Sequence, residues 1–467
     1  MWLAGRRKRV VSPSPCGVKS GIAGILTLFL LEGCEGPEVE EVSLSGSVVV
    51  GRVLEDQTKL GVRYARVSLM APQRVRLVLS REDGTFSIAG VPPTKYRLRV
   101  ARAGFAESDV EVPAGMNDTS SVVISLQRNP SIPPIKPLSQ GPVRINLRVL
   151  EEDFDRNGAY RPLRVQGVAF SPAPIGSGGN VPQGLYDRCA DWLDSLHVNT
   201  IRTYSGIDPT MLARASDHRI KVIVGFWVQT SYNLADPIRR EELIGSFRSF
   251  VRGLKDSPAI LMWNVGNEQN LPFNNGDNPY WYDLVQELAI TAFEVEGATY
   301  HPVCASNGDF TNIGNPAKRA DDASLSYMDL WASNIYRYDL GASFASYRTR
   351  TNKPVVLTEF GIDALDHRTK REYEAVQAEF DSTNWMQILA ASDVCVGGTL
   401  FEFTDEWWKA GNPDSHDFGG YATDNHPDGY SNEEWWGLIS LSPDADGDGR
   451  DEWRPRKAFR MFQQQWR

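Results

Sequence analysis

The 467-residue sequence has few of the residues that build metal or disulfide sites. Its five cysteines form no CxxC pair and its six histidines are scattered, so no Cys/His zinc site is predicted. Cys189, Cys304 and Cys395 lie far apart, and we expect them to be small buried hydrophobic side chains. The net charge of −10 leaves no excess of positive charge for phosphate backbones, so no nucleic-acid partner is expected.

The first 34 residues have the features of an export signal. Positive charge at 6–9 precedes the apolar stretch "GIAGILTLFLL" (21–31), which is too short to span a bilayer comfortably. The stretch ends in "LEGC", which resembles a bacterial lipobox with Cys34 as the lipidated residue, although Glu32 departs from the usual small or apolar residue. We expect a bacterial cell-envelope or surface protein that meets the membrane only through a lipid at Cys34, with a short tether at 35–44. An uncleaved anchor and ordinary secretion are the alternatives.

Residues 45–127 are predicted to form a small all-β sandwich. Six short runs of alternating hydrophobicity are separated by turn residues. The stretch "REDGTFSIAGVPPTKYRLRVARAGF" (81–105) resembles the carboxypeptidase regulatory-like domain, in the order D-G-x-F, G-V-P-P, Y-x-L-x-V and G-F, with Thr94 in place of the usual glycine. The resemblance implies an accessory spacer. The five prolines of 128–142 then predict a semi-rigid linker.

Residues 143–467 alternate apolar strands with amphipathic helices. Eight strands are predicted, at 163–170, 198–204, 221–227, 259–265, 302–306, 330–336, 354–360 and 396–403. Near-continuous apolar strands indicate a parallel sheet that is buried on both faces. Eight such units in about 325 residues favour a (β/α)8 TIM barrel. An open doubly wound sheet is the alternative, but no G-x-G-x-x-G follows the first strand.

Several of these strands end in polar or charged residues. The fourth ends in Asn267-Glu268 and the seventh in Glu359. The second ends in Arg202 and Tyr204, and the sixth in Asn334 and Tyr336. Active sites of such barrels lie where the strands end, and strands four and seven face each other across an eight-stranded barrel. The sequence therefore predicts that the two glutamates converge at one mouth.

Two unlike carboxyl groups are what glycoside hydrolysis requires. One must keep its proton in order to protonate the leaving oxygen, and burial raises its pKa. The other must stay ionised to attack the anomeric carbon, and neighbouring Arg and Tyr donors favour that state. A close pair suits retention of configuration and a wider pair suits inversion.

The motifs "WNVGNEQN" and "VVLTEFGID" resemble the fourth- and seventh-strand signatures of retaining glycoside hydrolases of clan A. The resemblance implies Glu268 as acid/base, Glu359 as nucleophile and Asn267 as the partner of the sugar 2-hydroxyl. It also implies that Arg202, in "NTIRTY", and Tyr336, in "SNIYRY", contact the nucleophile.

The second domain is similar to the catalytic barrel of glycoside hydrolase family 2. It is also similar to β-1,3-glucan-active families through "GGTLFEFTDEWWKAG" (397–411) and "EEWWGLISL" (433–441). Phe401 stands where family 2 enzymes usually have tryptophan, and no jelly-roll domain precedes the barrel. Trp407 is the predicted sugar platform, with Trp408, Trp435 and Trp436 as neighbours that could share this role.

Two short stretches have acidic side chains at the spacing of a calcium-binding loop. They are 153–158 and 444–452, with the candidate ligands Asp153, Asp155, Asn157, Asp444, Asp446 and Asp448. The twelfth position, which is glutamate in an EF-hand, is Arg164 in one and Pro455 in the other. A structural calcium ion and plain Asx turns both fit this pattern. No catalytic metal or other cofactor is expected.

The function predicted from these residues is that of a hydrolase acting on O-glycosyl compounds: a retaining β-glycosidase for an oligo- or polysaccharide. A β-glucan transglycosidase would use the same residues and is the first alternative. A non-catalytic carbohydrate-binding surface lipoprotein is the second.

Overall fold

A computed structural model describes residues 47–71, 74–91, 95–112, 119–271 and 280–467. The predicted export signal, its Cys34 and the tether lie outside these ranges. No helix within them is long and apolar enough to cross a bilayer. Cys189, Cys304 and Cys395 are buried free thiols, as expected from the sequence.

The first domain is a sandwich of two β-sheets. Its strands are β1 (Ser47–Glu55), β2 (Arg66–Ala71), β3 (Arg74–Leu79), β4 (Thr85–Val91), β5 (Tyr96–Ala101), β6 (Ser108–Val112) and β7 (Thr119–Leu126). One sheet has the order β4-β1-β7 and the other β3-β2-β5-β6. Alternate residues of β1 and β5 point inward, and Val49, Val53, Leu98 and Val100 are fully buried in the core between the sheets.

The sequence predicted six strands in this domain and missed β6. Its sequence, SDVEV, is short and half polar, and it pairs only with β5 at the edge of the sheet. An edge strand buries little apolar surface, so its hydrophobic pattern is weak.

A small antiparallel sheet precedes the barrel strands. It consists of β8 (Val143–Asn146), β9 (Val149–Glu152) and β10 (Arg161–Pro162). Val143 and Leu150 pack against Val165, Ile223 and Leu261 of the barrel interior. The sheet therefore closes the end of the barrel where the strands begin.

The second domain is a closed barrel of eight parallel strands, as predicted. In order around the barrel they are β11 (Val165–Ala169), β12 (Thr200–Arg202), β13 (Lys221–Phe226), β14 (Ile260–Asn267), β15 (Val303–Gly308), β16 (Trp331–Asn334), β17 (Val355–Phe360) and β20 (Cys395–Leu400). Each falls within or next to a predicted run, because every strand is buried on both faces.

Helices cover the outside of the barrel. They are α1 (Tyr186–Ser195), α2 (Pro209–Asp217), α3 (Pro237–Leu254), α4 (Tyr280–Glu296), α5 (Gly341–Tyr347), α6 (Glu374–Ala390) and α7 (Lys457–Gln465), with 3-10 turns at Gln183–Leu185, Gly297–Thr299 and Pro316–Lys318. The β15–β16 connection, which is fully described, contains the last of these turns in place of an α-helix.

Short hairpins lie at the barrel mouth. They are formed by β18 (Leu365–Asp366) with β19 (Arg371–Glu372), β21 (Gly420–Ala422) with β22 (Tyr430–Asn432), and β23 (Ile439–Ser442) with β24 (Glu452–Pro455). Most of them follow β20, so the long segment between the eighth strand and α7 builds one side of the mouth.

The sandwich contacts α3 and α4 through buried charges. Arg102 of the sandwich forms two hydrogen bonds with Asp283, of 2.9 and 3.0 Å, and lies 3.1 Å from Glu287. Arg66 donates to Glu287 at 2.7 Å, and Arg240 of α3 contacts both acids at 2.7–2.8 Å. Burial alone would raise the pKa of Glu287, but the three guanidinium groups outweigh burial and lower it. The two acids of α4 thus take their counterions partly from another domain.

The linker at 128–142 also contacts the barrel. Lys136 lies 2.6 Å from a carboxylate oxygen of Asp329 and 3.9 Å from the ring centroid of Tyr300. Ser139 donates to the carbonyl oxygen of Tyr300 at 2.5 Å. The linker is therefore held against the barrel at Lys136 and Ser139.

Candidate active site

Glu359 lies at the carboxyl end of β17 and is almost fully buried. Its Oε1 atom accepts hydrogen bonds from the Arg202 guanidinium and, at 2.8 Å, from the Tyr204 hydroxyl. Its Oε2 atom accepts one from the Tyr336 hydroxyl. Three donors from β12, β16 and the segments that follow them thus hold both oxygens in fixed positions.

Arg202 is fully buried at the end of β12. Besides Glu359 it contacts Asn267, whose side-chain oxygen accepts from Nη2 at 2.7 Å. The guanidinium lies 3.8 Å from the centroid of the Tyr204 ring. A buried arginine between a carboxylate and an amide has its charge compensated and its geometry fixed.

Glu268 follows β14 at a sharp change of chain direction. Its φ is +51° and that of Gly266 is +65°, so both residues adopt the left-handed conformation. The Glu268 N–H donates to the carbonyl oxygen of Ser306 at 2.8 Å. The side-chain amide of Asn334 donates to Glu268 Oε1 and to Asn267 Oδ1, both at 3.1 Å. This turn at the strand end places the Glu268 carboxyl group on Asn334, which also bonds Asn267, the partner of Arg202.

Burial, followed by the charge of Glu359, raises the pKa of Glu268 to about 7. The hydrogen bond from Asn334 and the charge of Arg202 act in the opposite direction but are outweighed. At neutral pH the Glu268 carboxyl group therefore retains a large share of its proton. The two glutamates are chemically unlike, as acid–base chemistry at a glycosidic bond requires.

An aromatic cluster surrounds the pair. The Trp436 ring centroid lies 4.9 Å from that of Tyr336 and 5.3 Å from that of Phe401, and Tyr204 packs on the same cluster. The peptide bond that joins Phe401 to Glu402 is cis. Burial and the charge of Glu359 raise the pKa values of the Tyr204 and Tyr336 hydroxyls well above their usual range, so both act as donors.

A second group of charges lies beside this cluster. Glu402 and Glu406 are buried, and the Lys409 amino group lies 3.6 and 2.5 Å from them, respectively. That amino group is also 4.1 Å from the Phe401 ring centroid. Burial and then the charge of Glu406 raise the pKa of Glu402 well above its usual range. One cation is thus shared between two carboxyl groups.

The segment after β22 brings another carboxylate to the mouth. Glu433 is partly exposed, and its N–H donates to the carbonyl oxygen of Gly419 at 3.0 Å. Burial raises the pKa of Glu433. The charge of Lys409 acts against burial, and the charges of Glu406 and Glu359 act with it. The sequence did not indicate Glu402, Glu406, Lys409 and Glu433 as site residues. Glu402 lies within the predicted strand 396–403, and the other three follow it in loops without hydrophobic periodicity.

The structure brings together five of the six predicted site residues: Glu268, Glu359, Asn267, Arg202 and Tyr336. Trp407 is 8% exposed, and its ring stacks on that of His416 with a centroid distance of 4.6 Å. His416 in turn stacks on Trp435 at 3.4 Å. Trp407 therefore already has an aromatic partner on one ring face, and its role as a sugar platform stays a prediction.

The candidate calcium loop at 444–452 gathers three acidic side chains. Carboxylate oxygens of Asp444, Asp446 and Glu452 lie within 4.8 Å of one another. The Asp444 carboxylate accepts the N–H groups of Gly447 and Gly449, as in an Asx turn. Asp153 in the other loop accepts two backbone N–H groups in a similar way. Structural calcium therefore stays a prediction.

Residues 48–127 match the family model of the carboxypeptidase regulatory-like domain, in agreement with the resemblance seen in the sequence. A comparison of the chain with curated proteins found no match.

Solved structures with a similar fold include glycoside hydrolases. A GH2 β-galacturonidase from Eisenbergiella tayi bound to galacturonate gives a TM-score of 0.49 at 15% identity, over 87% of this chain and 66% of that chain. A β-D-glucuronidase of Dictyoglomus thermophilum gives a TM-score of 0.47 at 15% identity, over 86% of this chain and 64% of that chain. A Ruminococcus gnavus β-glucuronidase gives a TM-score of 0.49 at 14% identity, over 90% of this chain and 68% of that chain. This chain thus spans about two thirds of the length of each, and neither activity nor substrate is transferred by a likeness of this extent.

Proposed function

We propose that the chain is a retaining β-glycosidase that cleaves O-glycosidic bonds of an oligo- or polysaccharide. The observation that carries this proposal is the unlike pair at the barrel mouth. Glu359 has both oxygens bound by Arg202, Tyr204 and Tyr336, whereas burial and the charge of Glu359 raise the pKa of Glu268 to about 7. A fixed anion and a protonated acid at one mouth suit double displacement.

In the first step the ionised Glu359 attacks the anomeric carbon. The bond from that carbon to the leaving oxygen breaks, and its electron pair goes to the oxygen, which takes the proton of Glu268. A covalent glycosyl ester forms on Glu359, and Glu268 becomes a carboxylate.

In the second step Glu268 acts as a base. It takes a proton from water, whose oxygen attacks the anomeric carbon and displaces Glu359 as a carboxylate. The configuration is retained because two inversions have occurred. An acceptor sugar can replace water in the same step, and the product is then a new glycoside.

The surrounding residues position these two groups. Arg202, Tyr204 and Tyr336 orient the attacking oxygens of Glu359 through charge-assisted hydrogen bonds. Asn267 receives a hydrogen bond from Arg202 and another from Asn334, so its side-chain oxygen is fixed and its amide N–H groups are available to the 2-hydroxyl of the sugar.

A 2-deoxy-2-fluoro β-glycoside with a good leaving group tests the proposal. The electron-withdrawing fluorine slows both steps, and the activated leaving group allows the ester to accumulate. We expect a mass increase of one fluorosugar on the peptide that contains Glu359. A Glu359→Gln variant should show no labelling and should lose about 10³-fold or more of the activity. Labelling of another residue, or hydrolysis unaffected by the substitution, would rule out Glu359 as nucleophile.

Export with a lipid on Cys34 is part of the same proposal, supported by the sequence at 1–34 alone. Expression in a bacterium with radiolabelled palmitate should label the protein, and the Cys34→Ser variant should remain unlabelled. Labelling of the variant would contradict the assignment.

A further inference from the structure

A chain of hydrogen-bonded polar side chains crosses the inside of the barrel next to the carboxylate pair. Asn264 of β14, Ser306 of β15 and Thr358 of β17 are fully buried. The Ser306 hydroxyl lies 3.0 Å from Oδ1 of Asn264 and 2.9 Å from the Thr358 hydroxyl. Because β16 lies between β15 and β17 in the barrel wall, the contact between Ser306 and Thr358 runs through the barrel interior.

This chain of side chains reaches Asn334 at the end of β16. The Thr358 hydroxyl donates to Oδ1 of Asn334 at 2.8 Å. The amide nitrogen of the same side chain donates to Glu268 Oε1 and to Asn267 Oδ1, both at 3.1 Å. An asparagine side chain has one acceptor oxygen and two N–H donors, and here each end of the amide has its partners. The buried Asn334 side chain is therefore held from both ends.

The hydrogen bond from Asn334 favours one of the two protonation states of Glu268. An N–H group can only donate, and it binds a carboxylate more strongly than a neutral carboxyl group. Burial and the charges of Glu359 and Glu433 raise the pKa of Glu268. The bond from Asn334 and the charge of Arg202 act in the opposite direction. Asn334 thus supports the carboxylate form, which the second step of the proposed reaction needs as its base.

We propose that Thr358 is a positioning residue for the acid/base: its hydroxyl holds the Asn334 amide on Glu268 in the orientation that stabilises the carboxylate. This inference rests on the proposed glycosidase function. Without the hydroxyl, Oδ1 of Asn334 would be buried without its donor, which is costly. The amide would then shift or turn its oxygen toward the protonated carboxyl group of Glu268. Either movement removes a donor from the carboxylate and favours the protonated form.

The Thr358→Val variant tests this role, because it replaces the hydroxyl with a methyl group of similar size. On a 4-nitrophenyl β-glycoside, we expect the alkaline limb of kcat/KM to move to higher pH by at least about 0.5 unit. On a 2,4-dinitrophenyl glycoside, whose leaving group needs no proton, the second step limits the rate. There kcat should fall by about 10-fold below pH 7, because less of Glu268 is available as a base. A general loosening of the barrel would lower the rates without moving the limb.

Three further variants separate the role of this hydroxyl from other effects. Thr358→Ser keeps the hydroxyl and should keep the wild-type limb. Thr291→Val is the matched control, since Thr291 is a fully buried residue of α4 whose hydroxyl donates to the carbonyl oxygen of Glu287 at 2.8 Å. It should leave the pH profile unchanged. In an Asn334→Ala background, Thr358→Val should cause no additional shift, because its effect passes through Asn334.

An unmoved limb in a folded, active Thr358→Val variant refutes the role of Thr358. An equal shift in Thr291→Val, or an additional shift in the Asn334→Ala background, refutes it as well. If the valine variant does not fold, Thr358→Ala removes the same hydroxyl with less volume, and the same limb decides. Each of these results leaves the glycosidase proposal intact, whereas inert glycosides together with no labelling of Glu359 by the fluorosugar would end both.

Discussion

The Tyr204 hydroxyl donates a hydrogen bond of 2.8 Å to Oε1 of Glu359. Tyr204 comes two residues after Arg202, which contacts the same oxygen, so one strand end supplies both donors. Tyr336 occupies the other oxygen. The carboxylate therefore cannot rotate without breaking at least one charge-assisted hydrogen bond.

Removal of one of these donors should slow the chemistry more than it weakens binding. We expect Tyr336→Phe and Tyr204→Phe each to lower kcat by about 10- to 100-fold, since a hydrogen bond to a charged group contributes about 1.5–3 kcal/mol. Steady-state kinetics on an aryl glycoside, with circular dichroism to verify folding, would measure this effect. A change in KM alone would show that the hydroxyls contact the substrate rather than position the nucleophile.

The activity should fall as the pH rises above about 7. Glu268 must carry its proton to act as the acid, and burial with the charge of Glu359 raises its pKa to about 7, so the active form is lost above that pH. A profile of kcat/KM from pH 5 to 9 would show the alkaline limb. In Glu268→Ala, tested with a leaving group that needs no protonation, this limb should disappear; its persistence would assign it to another residue.

Gly266 should not tolerate a side chain. Its φ is +65°, and a Cβ atom there would lie 2.6 Å from the Trp281 ring. We expect Gly266→Ala to destabilise the protein by about 1–3 kcal/mol and to reduce kcat, because the turn that carries Glu268 must shift.

Gly245→Ala is the matched control for this substitution. Gly245 lies on the exposed face of α3, and nothing is within 4 Å of its added Cβ. This variant should be neutral or more stable by up to about 1 kcal/mol. Thermal and urea unfolding would measure both variants, and equal effects would contradict the steric argument.

The charges between sandwich and barrel should contribute to stability. Arg102→Met leaves Asp283 and Glu287 buried with fewer counterions, and we expect a loss of about 3 kcal/mol. Adding Glu287→Gln should recover part of that loss, because the two changes affect one network. Arg99→Met, which removes an exposed pair with Asp109 on the same domain, should change the unfolding midpoint little. If the effects of Arg102→Met and Glu287→Gln on the free energy of unfolding simply add in the double mutant, the two groups act independently.

The barrel and its carboxylate pair could be predicted from the sequence because they follow from burial. Strands buried on both faces give long apolar runs, and the side chains that end them meet at one edge. Tyr204 could be predicted too: it lies two residues from Arg202 within the predicted strand 198–204, and such residues share a face of a strand. The connection between β15 and β16, which has a 3-10 turn in place of an α-helix, could not be predicted in this way, because loops have no fixed hydrophobic period.

The resemblance of residues 81–105 to the carboxypeptidase regulatory-like domain implies a spacer and says nothing of contacts with the barrel. The contacts of the sandwich with α4 join Arg102 to Asp283 and Arg66 to Glu287, pairs that are about two hundred residues apart in the chain. No local pattern indicates which arginine will be buried against a distant acid. Glu433 poses the same difficulty, since its position depends on the packing of Trp436.

The buried arginines of the sandwich have a practical consequence. A barrel produced from residue 143 onward would expose Asp283 and Glu287 without two of the guanidinium groups that lie beside them, on the helix whose Trp281 packs over Gly266. Replacing this sandwich with that of another protein would succeed only where the substitute has arginines at both places. The two domains would thus be inherited together, and neither could be exchanged freely as a module.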